Sequence, residues 1–503
     1  MFFKPYYLGC LAHASYLIGG SDGTAAVIDP RRDVDEYLAD AEAAGLTIRH
    51  VIETHLHADF VSGHVELARR AGAVIWMGYG SGATFPHQPV HDGGTITMGD
   101  VTLRFLSTPG HTPESVTVVA DVNGVPTRAF TGDTLFIGDV GRPDLVGSKG
   151  LSPDQMARSL FTSLRDKMLP LPDATEIWPA HGAGSACGKA LSDERVSTLG
   201  RQKSENVALR LVVAGDEAGF VRYATEGQDA APRYFAHDAQ KNRAGAQPVE
   251  TVLAAARPLT PAELEGMSEE GDIFVLDTRS VAAFGADHIP GAVHVQLDGK
   301  FAPWVGAVLP PQGRVAVVSD AGQETAAMTR LARVGYEDIV GWLEGGMDAW
   351  RKAGGETVLL CQIAPDELRD LLNAPNPPAV LDVRTNGEWD AGHIAGATHL
   401  PLSELSTRQD GLLTQPFVVM CGSGYRSSIA ASLLQRDGRG EKLLGHLVGG
   451  WTAWKQAERR EPQERSSSRF WGCHYHDRMA LRAVVPGAAC RLGVDRRLGD
   501  QSH

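Results

Sequence analysis

The sequence predicts an α/β protein of three successive folded units, and three observations carry that reading. At ~150 residues per domain, a chain of 503 residues has room for three units rather than one. The first 200 residues interleave short apolar runs of strand length with helical stretches. In the second half, Leu276-Asp277-Thr278-Arg279 and then His288-Ile289-Pro290-Gly291-Ala292 recur 105 residues later as Leu381-Asp382-Val383-Arg384 and His393-Ile394-Ala395-Gly396-Ala397. A repeat of that length is one domain present twice.

Bulk composition excludes several classes. With 43% hydrophobic and 21% charged residues the chain is neither a disordered polymer nor a rod. A formal charge of -14, from 47 Lys+Arg against 61 Asp+Glu, offers no electrostatic reason to expect nucleic acid or an anionic membrane as partner. No apolar run reaches the ~18 residues a spanning helix needs. Residues 1–20 carry Lys4 and an apolar stretch, but His13, Tyr6, Tyr7 and Tyr16 interrupt it, which argues against a signal peptide. The six cysteines (10, 187, 361, 421, 473 and 490) lack regular spacing, so a reducing cytoplasm is the expected location.

In the first 200 residues, strands are expected at 25–28, 48–52, 74–77, 101–106 and 116–120, with helices at 34–44, 64–71 and 155–164. Residues 201–257 are polar and Ala-rich without a steady period, and read as a helical extension and linker. The repeats then occupy 258–355 and 361–458. Each opens on a helix start with Pro at the first helical position, Thr260-Pro261-Ala262-Glu263 and Ala364-Pro365-Asp366-Glu367. The apolar runs 315–318 and 417–420 read as buried parallel strands. Gly345-Gly346 before Trp350 matches Gly449-Gly450 before Trp454. Residues 459–503 read as a solvated tail in preference to a metal site at Cys473, His474 and His476, since short Cys/His tracts need spacing and context to count.

Thr54-His55-Leu56-His57-Ala58-Asp59 follows a strand and lies on a strand-to-helix loop. Thr108-Pro109-Gly110-His111, Thr131-Gly132-Asp133 and Pro179-Ala180-His181 follow later apolar runs. One such histidine is most often structural, but four elements in series suit a metal centre of imidazole and carboxylate ligands, zinc or iron.

On these residues the N-terminal 200 residues resemble the metallo-β-lactamase superfamily, whose pattern is His-x-His-x-Asp-His with later His, Asp and His at strand ends. The implied architecture is α/β, an αββα metallo-β-lactamase sandwich followed by the two repeats. One departure is informative: Phe60 stands where the hydrolases carry the histidine that, with Asp59 and His181, holds a second metal. The run His57-Ala58-Asp59-Phe60-Val61-Ser62-Gly63-His64, Gly141-Arg142-Pro143-Asp144 and His181-Gly182-Ala183-Gly184-Ser185 resemble the persulfide dioxygenases of that superfamily. The resemblance implies one Fe(II) per chain on His55, His111 and Asp133, with His57, Asp59 and His181 as outer groups that orient the ligands. Arg142 and Cys187 are candidates for the substrate side of the site, although a buried cysteine acting as a small hydrophobe is equally open for Cys187.

Cys421-Gly422-Ser423-Gly424-Tyr425-Arg426 follows a buried strand and precedes a helix. Backbone N–H groups of Gly422, Ser423, Gly424 and Tyr425 at a helix start, with the Arg426 charge, suit a nucleophilic Cys421 thiolate. With Asp382-Val383-Arg384 and the Gly-Gly-Trp ending, the second repeat resembles a rhodanese domain. In the first repeat Asp320 is expected at the Cys421 position and Thr325 at that of Arg426, making it a degenerate rhodanese.

The order of these units resembles the bacterial fused persulfide dioxygenase-sulfurtransferases. The implied chemistry oxidises a low-molecular-weight persulfide with O2 to sulfite and thiol, after which a Cys421 persulfide passes its sulfur to sulfite as thiosulfate. The expected partners are accordingly the small-molecule persulfide, O2 and sulfite, with no nucleic acid or membrane, in a homo-oligomer. A zinc thioester hydrolase of the glyoxalase II kind and a sulfane-sulfur carrier without oxygenase activity are the alternatives. Phe60 disfavours the first, and the intact His55, His111 and Asp133 set disfavours the second.

Overall fold

The structure is a computed structural model and describes residues 1–145, 150–228, 230–406, 408 and 414–459. The expected tail, with Cys473, His474 and His476, falls outside the described residues from 460 onward. Among the described residues no helix is long and apolar enough to cross a membrane.

Alternation of apolar and polar residues builds the first unit. In Val101–Ser107 the residues Val101, Leu103 and Phe105 are buried while Thr102 and Arg104 are half-exposed, the period of a strand with one face inward. Six strands, Phe2–Leu8, His13–Gly19, Thr24–Ile28, Thr47–Ile52, Val74–Gly78 and Gln88–Val90, pair in chain order. A second six-stranded sheet orders Ser197–Thr198, Glu176–Pro179, Val125–Gly132, Val116–Val122, Val101–Ser107 and Thr95–Met98. Tyr16, Ile18, Ile28 and Ile52 meet Leu103, Phe105, Val118 and Phe130 between the sheets.

Helices cover both outer faces. Asp35–Ala43 and His64–Ala71 pack Tyr37 and Leu67 on Leu17, Val27 and Val51. On the other side Pro153–Ser163 sets Ala157, Leu160 and Phe161 against Val119, Ala129 and Ile177. The four layers form the αββα sandwich. The helix expected over 155–164 starts earlier because Ser152 and Gln155 make a reciprocal capping box with Pro153 in the first turn.

The stretch read as a helical extension and linker holds five packed helices, Leu199–Glu205, Val207–Val213, Glu217–Thr225, Phe235–Ala244 and Val249–Ala255. They are short, and their apolar faces are shared between two domains, so no single period shows in the sequence. Leu199, Leu209, Val212 and Phe220 complete the core on Pro153–Ser163. Asn242 does more. Buried in Phe235–Ala244, it donates to the carbonyls of His57 at 2.8 Å and Phe60 at 2.7 Å and accepts from Ser62 N–H at 2.8 Å, holding the histidine loop from outside the sandwich.

Each repeat is a five-stranded parallel sheet. The first orders Arg257–Leu259, Ile339–Leu343, Val315–Val318, Phe274–Asp277 and Val293–His294, and the second Gln362–Ile363, Leu443–Leu447, Phe417–Met420, Ala379–Asp382 and Thr398–His399. The repeated Asp-x-Arg is a brace: Arg279 and Arg384 each fork onto the buried carboxylate two residues earlier, at 2.6 to 3.1 Å. Their other reach is to the carbonyls of Asp287 and Gly392 at 2.7 Å, which ties strand end to loop.

Sheet register corrects one expectation. Asp277 pairs with Val318 as Asp382 pairs with Met420, so Ser319, not Asp320, sits at the Cys421 position. Thr325 and Arg426 remain equivalent as second residues of the helices Glu324–Arg333 and Tyr425–Arg436. The first repeat's loop is therefore one residue longer, which counting back from the helix alone conceals.

The first repeat lies between the other units. Val61 N–H donates to Arg333 O at 2.7 Å and the Arg333 guanidinium forks onto Asp33 at 2.7 and 2.8 Å. Arg32 pairs with Glu337, and Lys300 Nζ donates to Gly184 O at 3.0 Å. On its other side the buried His294 donates its backbone N–H to Ser432 Oγ at 3.0 Å and its Nδ1 lies 3.0 Å from Ser428 Oγ, while Tyr425 OH donates to Gln296 O at 2.8 Å.

Replacing Asn242 with leucine leaves two carbonyls and one N–H of the histidine loop buried without partners. Asn242→Leu is expected to cost about 3 kcal/mol or more, read as a lower denaturant midpoint for the first unit's transition. An unchanged midpoint would show that the loop holds itself.

Candidate active sites

Every metal-site candidate of the first unit stands just past the carboxyl end of a strand: His55 after Thr47–Ile52, His111 after Val101–Ser107, Asp133 after Val125–Gly132 and His181 after Glu176–Pro179. The strand ends converge because the two sheets pack face to face. Gly132 takes φ +51°, and a Cβ there would lie 2.4 Å from Thr54 Oγ1, so only glycine lets the Asp133 strand end approach the His55 loop so closely.

The structure brings His55, His111 and Asp133 together, with donor atoms all within 4.8 Å of one another and all buried. Asp133 Oδ2 lies 3.7 Å from His55 Nε2 and 3.5 Å from His111 Nε2, and it has no hydrogen-bond partner among the described residues. The tautomers follow from the partners. His111 Nδ1 lies 2.9 Å from Arg142 O, which only accepts, so its proton is on Nδ1. Thr54 Oγ1 donates to Asp29 Oδ2 at 2.9 Å and therefore accepts from His55 Nδ1 at 3.0 Å. Both Nε2 lone pairs consequently face a carboxylate oxygen. Burial lowers the pKa of both imidazoles, keeping them neutral, and the neighbouring histidines hold Asp133 well below the usual carboxylate range against its own desolvation. Two neutral nitrogens and an anionic oxygen around one point fit a bound cation and little else.

The outer candidates divide. His181 bridges Asp133 Oδ1 through Nδ1 and Asp59 Oδ2 through Nε2, both at 2.8 Å. These carboxylates overcome its burial and push its pKa up to about 10, so the imidazolium anchors one oxygen of Asp133 and leaves the other for a cation. His57 turns away, 3.2 Å from Asp29 Oδ1 and 3.4 Å from Glu53 Oε2. Its ring still packs on that of His55, centroids 4.2 Å apart, and Asp29 and Thr54 connect the two as well. The groups His57, Asp59, His181 and Asp29, Glu53, His57 are also close enough for an ion; the ion pairs above run through them, while His57 Nδ1 and Asp59 Oδ1 have no hydrogen-bond partner among the described residues. Phe60, fully buried, fills the space between them, its ring centroid 4.4 Å from that of His57 and 4.0 Å from that of His13.

Cys187 lies beside Asp133 and His181, close enough to form a ligand group with them, and burial next to Asp59 and Asp133 pushes its thiol up, so it is a neutral S–H. Arg142, expected on the substrate side, has structural partners of its own. Its guanidinium forks onto Asp144 at 2.6 and 2.7 Å and donates to Ala186 O at 3.1 Å. It braces the loop whose carbonyl orients His111. Sequence reading missed His13 as a member of this site: it opens the second strand of the first sheet, its ring 5.7 Å from that of His181, and a single histidine in a strand carries no spacing signal.

In the second repeat Cys421 is fully buried at the end of Phe417–Met420. Gly424 N–H donates to its Sγ at 3.1 Å, and Gly424 itself is left-handed at φ +95°, the turn that aims this N–H inward. Arg426 does not stand as a bare charge: it forks onto Glu388 at 2.7 and 2.6 Å, which its charge holds at a pKa of about 2 despite burial. The guanidinium lies over Gly422, where a Cβ would be 3.1 Å from Nη2. Glu388, Ser427 and His446 are neighbours of this site that the loop motif did not reveal.

With this geometry in hand, comparison with known proteins is direct. Residues 8–181 match the metallo-beta-lactamase superfamily, and residues 260–353 and 364–457 each match the rhodanese-like domain. A probable metallo-hydrolase of Burkholderia pseudomallei is 32% identical over 274 residues, 46% of this chain and 90% of that protein. A mitochondrial persulfide dioxygenase of Bos taurus is 31% identical over 184 residues, 36% of this chain and 68% of that protein. The crystal structure of a metallo-beta-lactamase from Staphylococcus aureus aligns with a TM-score of 0.58 at 34% identity. It covers 68% of this chain and 98% of its own, a share larger than residues 1–257 could supply.

Metal analysis of the purified protein is expected to find one cation per chain, lost in Asp133→Ala. Two per chain would show that the ion-paired set around His57, Asp59 and His181 also opens to a metal.

Proposed function

Because this chain belongs to the metallo-beta-lactamase superfamily and carries two rhodanese-like domains behind that unit, we propose that it oxidises small-molecule persulfides and transfers their sulfur. The first site turns R–S–SH, O2 and water into R–SH, sulfite and two protons. The second passes sulfane sulfur through Cys421 to sulfite, giving thiosulfate. The observation that carries this reading is the set His55, His111 and Asp133, two imidazoles and one carboxylate converging on one point, with Phe60 where a second metal would need a ligand. The persulfide dioxygenase among the relatives supports it.

A ferrous ion held by these three residues would supply the redox chemistry and the open coordination positions that O2 and a sulfur ligand require. The protein's own part is positional. Thr54 and the Arg142 carbonyl fix the two imidazole tautomers, His181 keeps Asp133 ionised and turned, and Phe60 with the buried histidines around it excludes bulk water.

At the second site the Cys421 thiolate attacks the outer sulfur of R–S–SH. The S–S bond breaks, R–S⁻ leaves, and Cys421 retains the sulfur as a persulfide. Sulfite then attacks that outer sulfur through its own lone pair, thiosulfate leaves with the sulfur, and the thiolate is restored. The Gly424 N–H that meets Sγ is placed to stabilise the sulfur anion at each stage.

Oxygen uptake on adding cysteine persulfide separates this reading from a hydrolase or a carrier, neither of which consumes O2. Asp133→Ala is expected to abolish uptake while leaving thiosulfate:cyanide sulfur transfer nearly intact, and Cys421→Ser the reverse. If Cys421→Ser stopped oxygen uptake, the proposed division between the two sites would be wrong.

A further inference from the structure

Behind Cys421 lies a short polar chain in an otherwise apolar wall. Cys421 Sγ is 3.6 Å from Ser427 Oγ, and Ser427 Oγ is 3.1 Å from His446 Nδ1 and 3.0 Å from Gly424 O. Cys421, Ser427 and His446 are all fully buried. His446 stands on Leu443–Leu447, and its Nε2 has no hydrogen-bond partner among the described residues.

Those facts fix the direction of the chain. A neutral imidazole carries one N–H. Placed on Nε2 it would be a buried donor without an acceptor, a rarer and costlier orphan than a bare lone pair. Placed on Nδ1 it donates to Ser427 Oγ. The serine hydroxyl is then held from behind and has its own hydrogen to give forward, to Gly424 O while Cys421 is a thiol and to Sγ when Cys421 is an anion. Burial lowers the His446 pKa to about 4, with His294 adding to the effect, so the ring stays neutral and acts as a donor rather than a base.

The first repeat supplies an internal comparison. Cys421 is replaced there by Ser319. The third residue of the following helix, Ser427 here, is Ala326. His446, paired with Val419, corresponds to Trp342, paired with Val317. Arg426 and Glu388 correspond to Thr325 and Ala283. The Asp-x-Arg brace, by contrast, is kept in both copies. Where the thiol is gone the hydroxyl and the imidazole are gone, and the structural pair is not.

We propose that His446 and Ser427 form a directed hydrogen-bond chain that stabilises the anionic sulfur of Cys421, with His446 a positioning residue acting through Ser427. The proposal rests on Cys421 being the sulfur-transfer nucleophile. The other charged or titratable groups around the loop are Arg426 with its partner Glu388, Tyr425, Lys300, the braced pair Asp382 and Arg384, His294, and Cys361, whose carbonyl accepts the His446 backbone N–H. None of them touches Ser427 Oγ, so substituting His446 leaves their contacts in place.

The test is the pH profile of Cys421 alkylation by iodoacetamide in the full chain, read on the Cys421 peptide by mass spectrometry so that other cysteines do not contribute. Wild-type protein must first show thiosulfate:cyanide sulfur transfer lost in Cys421→Ser; without that, the nucleophile reading fails and this one is not reached. Given it, His446→Phe and Ser427→Ala are each expected to raise the midpoint by about one pH unit, a tenfold loss of thiolate below the midpoint, as removal of one hydrogen bond to a charged group implies. The double variant should shift no further than either single one, because the two act in series. His446→Asn, whose amide N–H falls near the Nδ1 position, should recover most of the shift. Should His446→Phe fail to fold, Ser427→Ala carries the same measurement with the imidazole left in place. An unchanged midpoint in Ser427→Ala, or a shift in His446→Phe that His446→Asn does not relieve, would overturn the proposal.

Discussion

The joint between the histidine loop and the first repeat is the contact on which the rest of this molecule depends. Val61 gives its N–H to Arg333 O and Asp33 takes the Arg333 guanidinium, while Asn242 holds the carbonyls of His57 and Phe60 from the intervening helices. The loop that carries His55 is thus held by the first repeat and by the intervening helices as well as by its own sandwich, where Ser62 Oγ donates to Pro30 O at 2.8 Å. Metal ligands on loops need such support, because their own backbone contributes little rigidity. A domain without a nucleophile contributes here by being packed.

Much of this was legible in the sequence, for definite reasons. His55, His111, Asp133 and His181 each follow a strand-like run, and a strand end is where a two-sheet sandwich brings distant segments together. The Cys421 loop is local, so six consecutive residues display it. What escaped has the opposite character. His13 and Asn242 reach the metal site from 42 and 187 residues away from His55, and neither sits in a pattern. Glu388 and His446 come to Cys421 from separate elements of the second repeat, while Ser427, next after Arg426 in the chain, shows its contact only once the helix is formed. The register of the degenerate loop escaped as well, since counting from the helix and counting from the strand differ by one residue there, and hydrogen-bonded pairing decides for Ser319.

The two repeats also separate framework from chemistry within one chain. Arg279 on Asp277 and Arg384 on Asp382 are equivalent braces with nearly equal distances. A buried pair of this kind is costly to break from one side alone, which accounts for its persistence in a copy that carries no thiol. The groups around Cys421 have no such constraint, and in the first repeat a tryptophan and an alanine fill their places.

The position of that first repeat has a consequence for how the molecule comes apart. It contacts the loop after His181 through Lys300 and the Cys421 helix through His294 and Gln296, using the single segment 294–300 for both. Local opening of this segment would release supports on both sides at once. In a chain built this way the low-energy partial unfolding events are shared rather than private to one end. Damage in the middle therefore tends to silence the proposed sulfite-forming and sulfite-consuming ends together, instead of leaving a producer at work without its consumer.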